Sequence, residues 1–366
     1  MNFRGSHILS VGQFDRSDLN RVLDVAAKME SFATQRCRTN VLDGCVLANL
    51  FFEPSTRTRI SFGAAFDRLG GRVCDTTGFQ FSSIIKGESL FDTAKVISGY
   101  VDVAVMRHPV AGSVAEFASA SRIPVINGGD GPGEHPTQAL LDIYTIQKEL
   151  GQKLDQVPGL RVAMVGDLKF GRTVHSLSRL LSLFDHVSLI LVSPEELRMP
   201  VEIIQDCRGR GVQIEETDDL FQGIEDVDVV YMTRVQEERF ASPEEAERHR
   251  GRFVLDRSTF QKHCRANTVL MHPLPRDSRP GARELSDELN TLPELAIFRQ
   301  AENGIPVRMA LFALVLGVEQ EVAKTSKPVP WFVPDRSGAR ASDVHLGRDG
   351  TSQCESKLDG EHIPRQ

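Results

Sequence analysis

Short apolar runs and helical patterns alternate along most of this chain. Continuous runs of Val, Ile, Leu and Ala bounded by turn residues are typical of buried strands. Such runs occur at 45–51, 72–75, 102–106, 123–126, 160–165, 187–192, 211–215, 227–232 and 268–271. Elsewhere apolar residues recur every three or four positions, which predicts helices at 14–32, 56–69, 88–99, 113–121, 136–150, 172–183, 201–209, 256–264 and 306–322.

This alternation predicts an α/β fold with two doubly wound parallel-sheet domains joined by interdomain helices. Strands that are separated by helices form parallel sheets covered on both faces. The long helix at 136–150, followed by a polar break at 151–153, is the natural connection between two sets of strands. We expect a first domain over 1–138, completed by a C-terminal helix at about 304–324, and a second domain over 139–303.

The end of the chain has a different composition. Residues 325–366 are rich in Ser, Gly, Asp, Arg and Lys, and their main apolar stretch is 329–333. Segments with so few apolar residues bury too little surface to fold alone, so we expect a disordered extension. The cluster around Trp331 could dock on a partner or on the body of the protein, but an appendage without a function is the favoured interpretation.

Composition narrows the class of protein. The chain has 366 residues, of which 40% are hydrophobic and 25% charged, as in ordinary globular proteins. A net charge of −7 argues against binding of nucleic acid. The six cysteines form no CxxC pair, which favours reduced thiols in a cytoplasmic protein, without a zinc site or a disulfide framework. No signal-peptide or membrane-spanning pattern is apparent, so we expect a soluble protein without membrane partners.

The strongest chemical signal follows the first buried run. Residues 53–59 read Glu-Pro-Ser-Thr-Arg-Thr-Arg and open the helix at 56–69. A helix N-terminus offers free N–H groups and the positive end of the helix dipole, and hydroxyls and a guanidinium add donors that suit phosphate. A lone serine would be an ordinary N-cap. The whole string after a strand instead favours a phosphate site formed by Ser55, Thr56, Arg57 and Thr58.

Other polar residues follow the next strands of the same set. Ligands bind beyond the carboxyl ends of parallel strands, so these residues would lie near the phosphate site. Arg107 follows the run at 102–106, although a single arginine is weak evidence. Pro136 at a first helical position places His135 at the N-cap, with Gln138 one turn on. A structural hydrogen bond is the commoner role of a lone histidine, but Gln138 on the same helix end favours binding.

The second set of strands carries cationic residues at equivalent places. Residues 166–173 match the spacing of a nucleotide-binding loop, but Arg172 stands where that loop needs a lysine. An arginine at a helix start suits a carboxylate. Arg234 and Gln236 alternate after the run at 227–232, which favours a second carboxylate clamp over the alternative of a solvated loop.

Two further segments complete the pattern. The string His-Pro-Leu-Pro-Arg at 272–276 follows the last strand, and its prolines would hold the carbonyls of Pro273 and Leu274 rigidly enough to accept hydrogen bonds from an amine. The segment 82–89 is on its own a polar surface loop with one lysine. No metal-ligand set, cofactor site or Ser-His-Asp or Cys-His arrangement is apparent. The residues together suggest attack of an amino dicarboxylic acid on a phosphate-bearing acyl donor.

The chain resembles the catalytic chains of aspartate carbamoyltransferases, within the aspartate/ornithine carbamoyltransferase superfamily, over roughly residues 7–323. The resemblance rests on five strings in the family's order, at 55–58, 135–138, 166–173, 233–236 and 272–276. Ornithine enzymes share the first string, but they carry His-Cys-Leu-Pro where this chain has His-Pro-Leu-Pro at 272–275, and they lack Thr-Arg-Val-Gln at 233–236.

The resemblance implies transfer of the carbamoyl group from carbamoyl phosphate to the α-amine of L-aspartate, without a metal or cofactor, in de novo pyrimidine (UMP) biosynthesis. It assigns the phosphate to Ser55, Thr56, Arg57, Thr58 and Arg107. It assigns the carbamoyl oxygen to Thr58, Arg107 and His135, and the carbamoyl amide to Gln138 and the carbonyls of Pro273 and Leu274. It assigns the two carboxylates of aspartate to Arg172, Arg234 and Gln236.

The resemblance also implies a homotrimer in which Ser82 and Lys86 enter the site of the adjacent subunit, with Lys86 contacting aspartate. The sequence leaves open a dodecamer with regulatory chains or with a dihydroorotase-like chain. Two alternative functions also remain: a carbamoyltransferase for another amino acid, and a non-catalytic paralogue that acts as a scaffold. The presence of every expected charged site residue argues against the scaffold.

Overall fold

The computed structural model describes residues 1–77, 87–240 and 242–334, so Ser82 and Lys86 lie outside the described residues. Its strands are β1 (Cys37–Arg38), β2 (Val46–Phe51), β3 (Arg72–Thr77), β4 (Val103–His108), β5 (Val125–Asp130), β6 (Arg161–Val165), β7 (Ser188–Val192), β8 (Gln213–Thr217), β9 (Val229–Met232), β10 (Val269–Met271) and β11 (Lys327–Pro328). Its α-helices are α1 (Arg16–Ala33), α2 (Thr56–Arg68), α3 (Leu90–Ile97), α4 (Ser113–Ala120), α5 (Pro136–Leu150), α6 (Arg172–Leu181), α7 (Val201–Gly209), α8 (Leu220–Ile224), α9 (Pro243–Glu247), α10 (Arg257–His263), α11 (Ile297–Glu302) and α12 (Gly304–Leu316).

The first sheet is parallel, with the strand order β3-β2-β4-β5. From β2 the chain moves outward to β3, and from β4 it moves outward in the other direction to β5. The strand order therefore reverses between β2 and β4. In open α/β sheets such a reversal leaves a crevice at the carboxyl ends of the two strands, where ligands bind.

The second sheet repeats this design with five parallel strands in the order β10-β9-β6-β7-β8. Its reversal lies between β6 and β9. The segments that follow these two strands are those that carry Arg172 and Arg234. The switch point of each sheet therefore carries some of the predicted ligand-binding residues.

Helix α12 lies far along the chain but packs against the first domain. It contacts α1, α2 and α5. The ring of Phe312 lies edge-on to Phe62 and Phe66, with centroid separations of 5.9 and 4.9 Å. Most residues of α12 are buried, which agrees with its apolar sequence on all sides.

The sequence patterns located nine strands and nine helices that the structure contains, with ends that differ by a few residues. They missed the short helices α8, α9 and α11, whose lengths of five or six residues leave little periodicity. Strand β4 continues to His108, so Arg107 lies within the strand and not after it. The pairing of β4 with β5 shifts register between Met106 and His108, at the residue that faces the crevice.

Two features near the ends differ from expectation. Lys327–Pro328, within the segment predicted to be disordered, pairs antiparallel with Cys37–Arg38, and the guanidinium of Arg38 lies 5.9 Å from the ring centre of Trp331. The part of the extension beyond residue 334 is outside the described residues. Cys37 is disulfide-bonded, contrary to the expectation of reduced thiols, whereas Cys45, Cys74, Cys207 and Cys264 are free.

No α-helix in the described ranges is long and apolar enough to span a bilayer. Within the same ranges there is also no group of three or more His, Cys, Asp or Glu side chains arranged to hold a metal ion.

Candidate active site

A cavity of about 460 Å³ lies where the carboxyl ends of the two sheets face each other. The structure places twelve of the predicted site residues around it: Ser55, Thr56, Arg57, Thr58, Arg107, His135, Gln138, Arg172, Arg234, Gln236, Pro273 and Leu274. Residues more than 200 positions apart thus share one cavity. Ser82 and Lys86, expected from a neighbouring subunit, are outside the described residues.

The start of α2 leaves its donors available to this cavity. Ser55 is the N-cap residue, but its side chain makes no capping hydrogen bond, contrary to an ordinary serine cap. The side chain of Arg57 lines the cavity, whereas Arg59 pairs with Asp75 at 2.7 Å outside it. Thr58, the residue that follows Arg57, is buried. Hydroxyls, a guanidinium and the first N–H groups of the helix therefore meet at one point, as an oxyanion requires.

Arg107 lies buried beside this cradle. One guanidinium nitrogen donates to the carbonyl of Gly128 at 3.3 Å, another lies 3.1 Å from the carboxylate of Glu53, and Nε has no hydrogen-bond partner among the described residues. Burial lowers the pKa of Arg107, and the Glu53 carboxylate opposes this effect. Gly129 has a φ of +130°, and a Cβ there would lie 2.7 Å from the guanidinium. A glycine at this position therefore makes room for the arginine.

His135 is the N-cap residue of α5 and is almost fully buried. Burial, with nearby Arg172, Arg107 and Arg308, holds its pKa well below the ordinary value. The imidazole is therefore neutral near pH 7, with one nitrogen as donor and the other as acceptor. Within the part of the chain that the structure describes, its Nδ1 has no hydrogen-bond partner. Such a ring can donate to a carbonyl oxygen without carrying a charge.

Arg172 and Arg239 bring the second domain to the first. Arg172 is the first residue of α6, and Arg239 ends the 3₁₀ turn Glu237–Arg239. Both donate to the carbonyl oxygen of Gly131, Arg239 at 3.1 Å. Burial, with repulsion from Arg107, lowers the pKa of Arg172 to about 10, so its guanidinium remains charged at neutral pH.

The loops after β6 and β9 are tied together beneath the cavity. Asp167 accepts the N–H of Phe170 at 2.9 Å and the N–H of Gln236 at 3.0 Å. Arg234 is held by Glu238, whose carboxylate accepts from the guanidinium at 3.0 Å. These contacts fix the backbone at Gln236 and the guanidinium of Arg234.

The loop after β10 is held by its own histidine. The N–H of Leu274 donates to His272 Nδ1 at 2.8 Å, so the other ring nitrogen carries the proton and lies 2.7 Å from Glu284. The N–H of His272 donates to the side-chain oxygen of Gln300 at 2.9 Å. Leu274 has a positive φ of 57° and precedes a cis peptide bond to Pro275.

The charge balance of the cavity favours anions. Among the described residues that line it are two carboxylates, Glu53 and Glu238, and six arginines: Arg57, Arg107, Arg172, Arg234, Arg239 and Arg308. A ligand set with several negative charges would offset this excess.

Sequence reasoning missed Arg308 and Gln300 on this cavity. Arg308 is a buried cation of α12 that donates to Ser61 at 2.7 Å and lies over the ring of Phe62. Its position as the one charged residue in the apolar run 305–316 was a usable signal. Gln300 carries no comparable signal, because a glutamine in a short helix is typical of solvent-facing positions.

Comparison with family models accounts for both domains. Residues 6–148 match the model described as "Aspartate/ornithine carbamoyltransferase, carbamoyl-P binding domain". Residues 158–315 match that described as "Aspartate/ornithine carbamoyltransferase, Asp/Orn binding domain". The chain is 63% identical over 332 residues to the aspartate carbamoyltransferase catalytic subunit of Cellvibrio japonicus, covering 91% of this chain and 98% of the relative. It is 52% identical to the aspartate carbamoyltransferase catalytic subunit of Dichelobacter nodosus, and the alignment covers 94% of this chain and 99% of that relative.

Solved structures agree with this relationship. Aspartate transcarbamoylase from Trypanosoma cruzi in complex with carbamoyl phosphate and aspartate superposes with a TM-score of 0.78 at 38% identity, covering 86% of this chain and 98% of that one. The catalytic subunit of the Methanocaldococcus jannaschii enzyme gives a TM-score of 0.76 at 42% identity, with the same coverage. Both halves of the chain match models of one family, and the chain is 63% identical to one of its named members. This chain therefore belongs to the aspartate/ornithine carbamoyltransferase family.

Proposed function

We propose that this protein is an aspartate carbamoyltransferase. It transfers the carbamoyl group of carbamoyl phosphate to the α-amine of L-aspartate, giving N-carbamoyl-L-aspartate and phosphate, in de novo pyrimidine (UMP) biosynthesis. The observation that carries the proposal is the single cavity in which the start of α2 faces two arginine clamps of the opposite domain. Relatives named for this activity support it.

The first domain binds the phosphate and the carbamoyl group. Ser55, Thr56, Arg57 and Thr58 hold the phosphate with Arg107, because charge-assisted donors at a helix N-terminus suit a dianion. The carbamoyl oxygen lies against Thr58, Arg107 and His135. A neutral His135 adds a hydrogen bond to this oxygen and strengthens it as negative charge develops in the tetrahedral intermediate.

The second domain binds the nucleophile. Arg172 holds the α-carboxylate of aspartate, and Arg234 with Gln236 holds the β-carboxylate. Arginine suits this task because its planar fork matches a carboxylate in two hydrogen bonds. The uncharged α-amine then attacks the carbamoyl carbon, and the bond from that carbon to the phosphate oxygen breaks. The phosphate leaves with the proton that the nitrogen gives up, and Arg57 and Arg107 balance its remaining charge.

The experiment is an assay of carbamoyl-aspartate formation by the purified chain, with ornithine and N-acetylated amino acids as competing acceptors. The proposal expects turnover with aspartate and none above background with ornithine. Stabilisation by N-(phosphonacetyl)-L-aspartate, measured as a thermal shift, tests simultaneous occupation of both clamps. Turnover with another acceptor and not with aspartate would favour the alternative carbamoyltransferase.

We also propose a cytoplasmic homotrimer in which Ser82 and Lys86 complete the adjacent subunit's site. This assembly is supported by the family resemblance alone. Mixing inactive Lys86→Ala chains with inactive Arg57→Ala chains and reassembling them should restore activity, because some hybrid sites then contain both native residues. Hybrids no more active than either parent would mean that each site is formed by one chain.

A further inference from the structure

A buried acid lies directly behind the wall of the cavity. Asp142 is on α5, one turn after Gln138, and is fully buried. It does not line the cavity, but two of its partners, Gln138 and Gln300, do. Tyr231 donates to its second oxygen, Oδ2, at 2.7 Å. The carboxylate therefore joins helix α5, helix α11 and strand β9 at one point.

Both glutamines donate to the same oxygen of this carboxylate. Asp142 Oδ1 accepts from Nε2 of Gln138 at 2.9 Å and from Nε2 of Gln300 at 2.7 Å. Burial raises the pKa of Asp142 to about 7, but a proton would reside on Oδ2, the oxygen that faces the Tyr231 hydroxyl. Oδ1 therefore accepts in either protonation state, and it fixes the orientation of each amide because the NH₂ end must face it. The carbonyl end of each glutamine is thereby directed elsewhere.

The carbonyl end of Gln300 confirms this orientation, because it accepts the backbone N–H of His272 at 2.9 Å. His272 immediately precedes Pro273 and Leu274, which both line the cavity. Asp142 is therefore linked through one glutamine to the loop that holds two backbone acceptors. Through Gln138 it sets the direction of a third acceptor, the side-chain carbonyl on the cavity wall.

We propose that Asp142 is a positioning residue that aims these acceptors at the NH₂ group of the donor substrate, and so determines the preference for a carbamoyl over an acetyl phosphate. The inference rests on the proposed function, which places the carbamoyl nitrogen between Gln138 and the 273–274 carbonyls. A carbamoyl group donates to these acceptors, whereas the methyl of acetyl phosphate leaves them buried and unpaired. Sites built to pair a substrate N–H discriminate strongly against an analogue that lacks it.

The structure separates the role of the acceptor atom from that of the charge. In Asp142→Asn the side-chain oxygen can remain at the Oδ1 position, with the new NH₂ group facing Tyr231, whose hydroxyl can accept as well as donate. In Asp142→Leu, of similar shape, both glutamines lose their acceptor. Thr145→Val is the matched control. Thr145 lies on the same helix, is equally buried, and donates to Leu141 and accepts from Asn303 without contacting either glutamine.

The experiment measures kcat/KM for carbamoyl phosphate at saturating aspartate, and the inhibition constants of acetyl phosphate and inorganic phosphate against it. We expect Asp142→Leu to lower kcat/KM by about 10- to 100-fold while both inhibition constants change less than about threefold. We expect Asp142→Asn to keep most of the parent's kcat/KM for carbamoyl phosphate, and Thr145→Val to leave this kcat/KM unchanged. Equal weakening of all three ligands, or no change in a folded Asp142→Leu protein, would overturn the proposal.

Two further variants keep the test decisive. If Asp142→Leu does not fold, Gln300→Leu breaks one arm of the same junction and should give the same selective loss. In a Gln138→Ala background, Asp142→Leu should have a much smaller effect than in the parent, because coupled residues are not additive; full additivity would contradict the proposal. If the parent enzyme forms no carbamoyl-aspartate, the proposed function itself is refuted. Results on Asp142 variants bear only on the role of Asp142.

Discussion

The carboxylate of Glu53, on the bend after β2, lies 3.9 Å from the guanidinium of Arg172 at the start of α6. The first residue belongs to the phosphate-binding half of the cavity and the second to the half that we propose binds aspartate. The same Glu53 oxygen lies 3.1 Å from Arg107. One acid therefore neutralises a cation of each domain, and it links the orientation of the two clamps.

We expect Glu53→Gln to lower kcat and raise the KM for aspartate, because the two arginines would repel each other without the intervening charge. Kinetics at saturating carbamoyl phosphate would measure both constants. Glu134→Gln is the matched control, since Glu134 forms another interdomain ion pair, with Arg179 at 3.4 Å, away from the cavity. Equal effects of the two substitutions would show that interdomain pairing in general, and not the position of Glu53, is responsible.

Arg57→Ala should lower kcat/KM for carbamoyl phosphate by at least about 100-fold, equivalent to about 2.7 kcal/mol. A charge-assisted hydrogen bond to a phosphate is lost and water fills the gap. Arg59→Ala removes an arginine two positions on that pairs with Asp75 outside the cavity, and should change kcat/KM less than about threefold. Activity of Arg57→Ala within about tenfold of the parent would disprove the phosphate assignment.

Arg234→Ala should raise the KM for aspartate by about 100-fold and leave the affinity for carbamoyl phosphate nearly intact, because the two ligands are held by different domains. Isothermal titration with carbamoyl phosphate alone, together with steady-state kinetics, separates the two effects. Arg250→Ala is a suitable control, because Arg250 pairs with Glu237 at 2.9 Å and does not line the cavity. A parallel loss of carbamoyl phosphate binding would contradict the division of roles.

His135→Gln should change the pH dependence of stability. The pKa of His135 is well below its ordinary value in the folded protein, so below about pH 6.5 the unfolded chain binds a proton that the folded chain does not. This histidine therefore destabilises the parent increasingly as the pH falls through that range. As the pH is lowered from about 8 to about 5, the free energy of unfolding of the variant, measured in urea, should increase relative to that of the parent. A constant difference would indicate that the pKa of His135 is not lowered.

Local patterns were sufficient for the two parallel sheets and the string at 55–58. Runs such as 160–165 and 187–192 are apolar throughout because helices cover both faces of the sheet, so their character is visible without knowledge of their neighbours. The phosphate cradle was equally visible, because a helix start and its donors are consecutive in the chain. The cluster of predicted residues at one cavity also follows from the rule for strand ends, once the strands are known.

Tertiary structure alone decided the features that depend on distant partners. The register shift beside Arg107 arises from pairing with β5, and the β1–β11 pair joins residues about 290 positions apart. The junction at Asp142 needs Gln300, 158 residues away, and Tyr231, 89 residues away. Sequence periodicity records which face of an element is apolar, but it does not record which polar groups meet when those faces pack. The direction of the Gln138 amide is set by such a meeting, and this is why only the folded chain shows it.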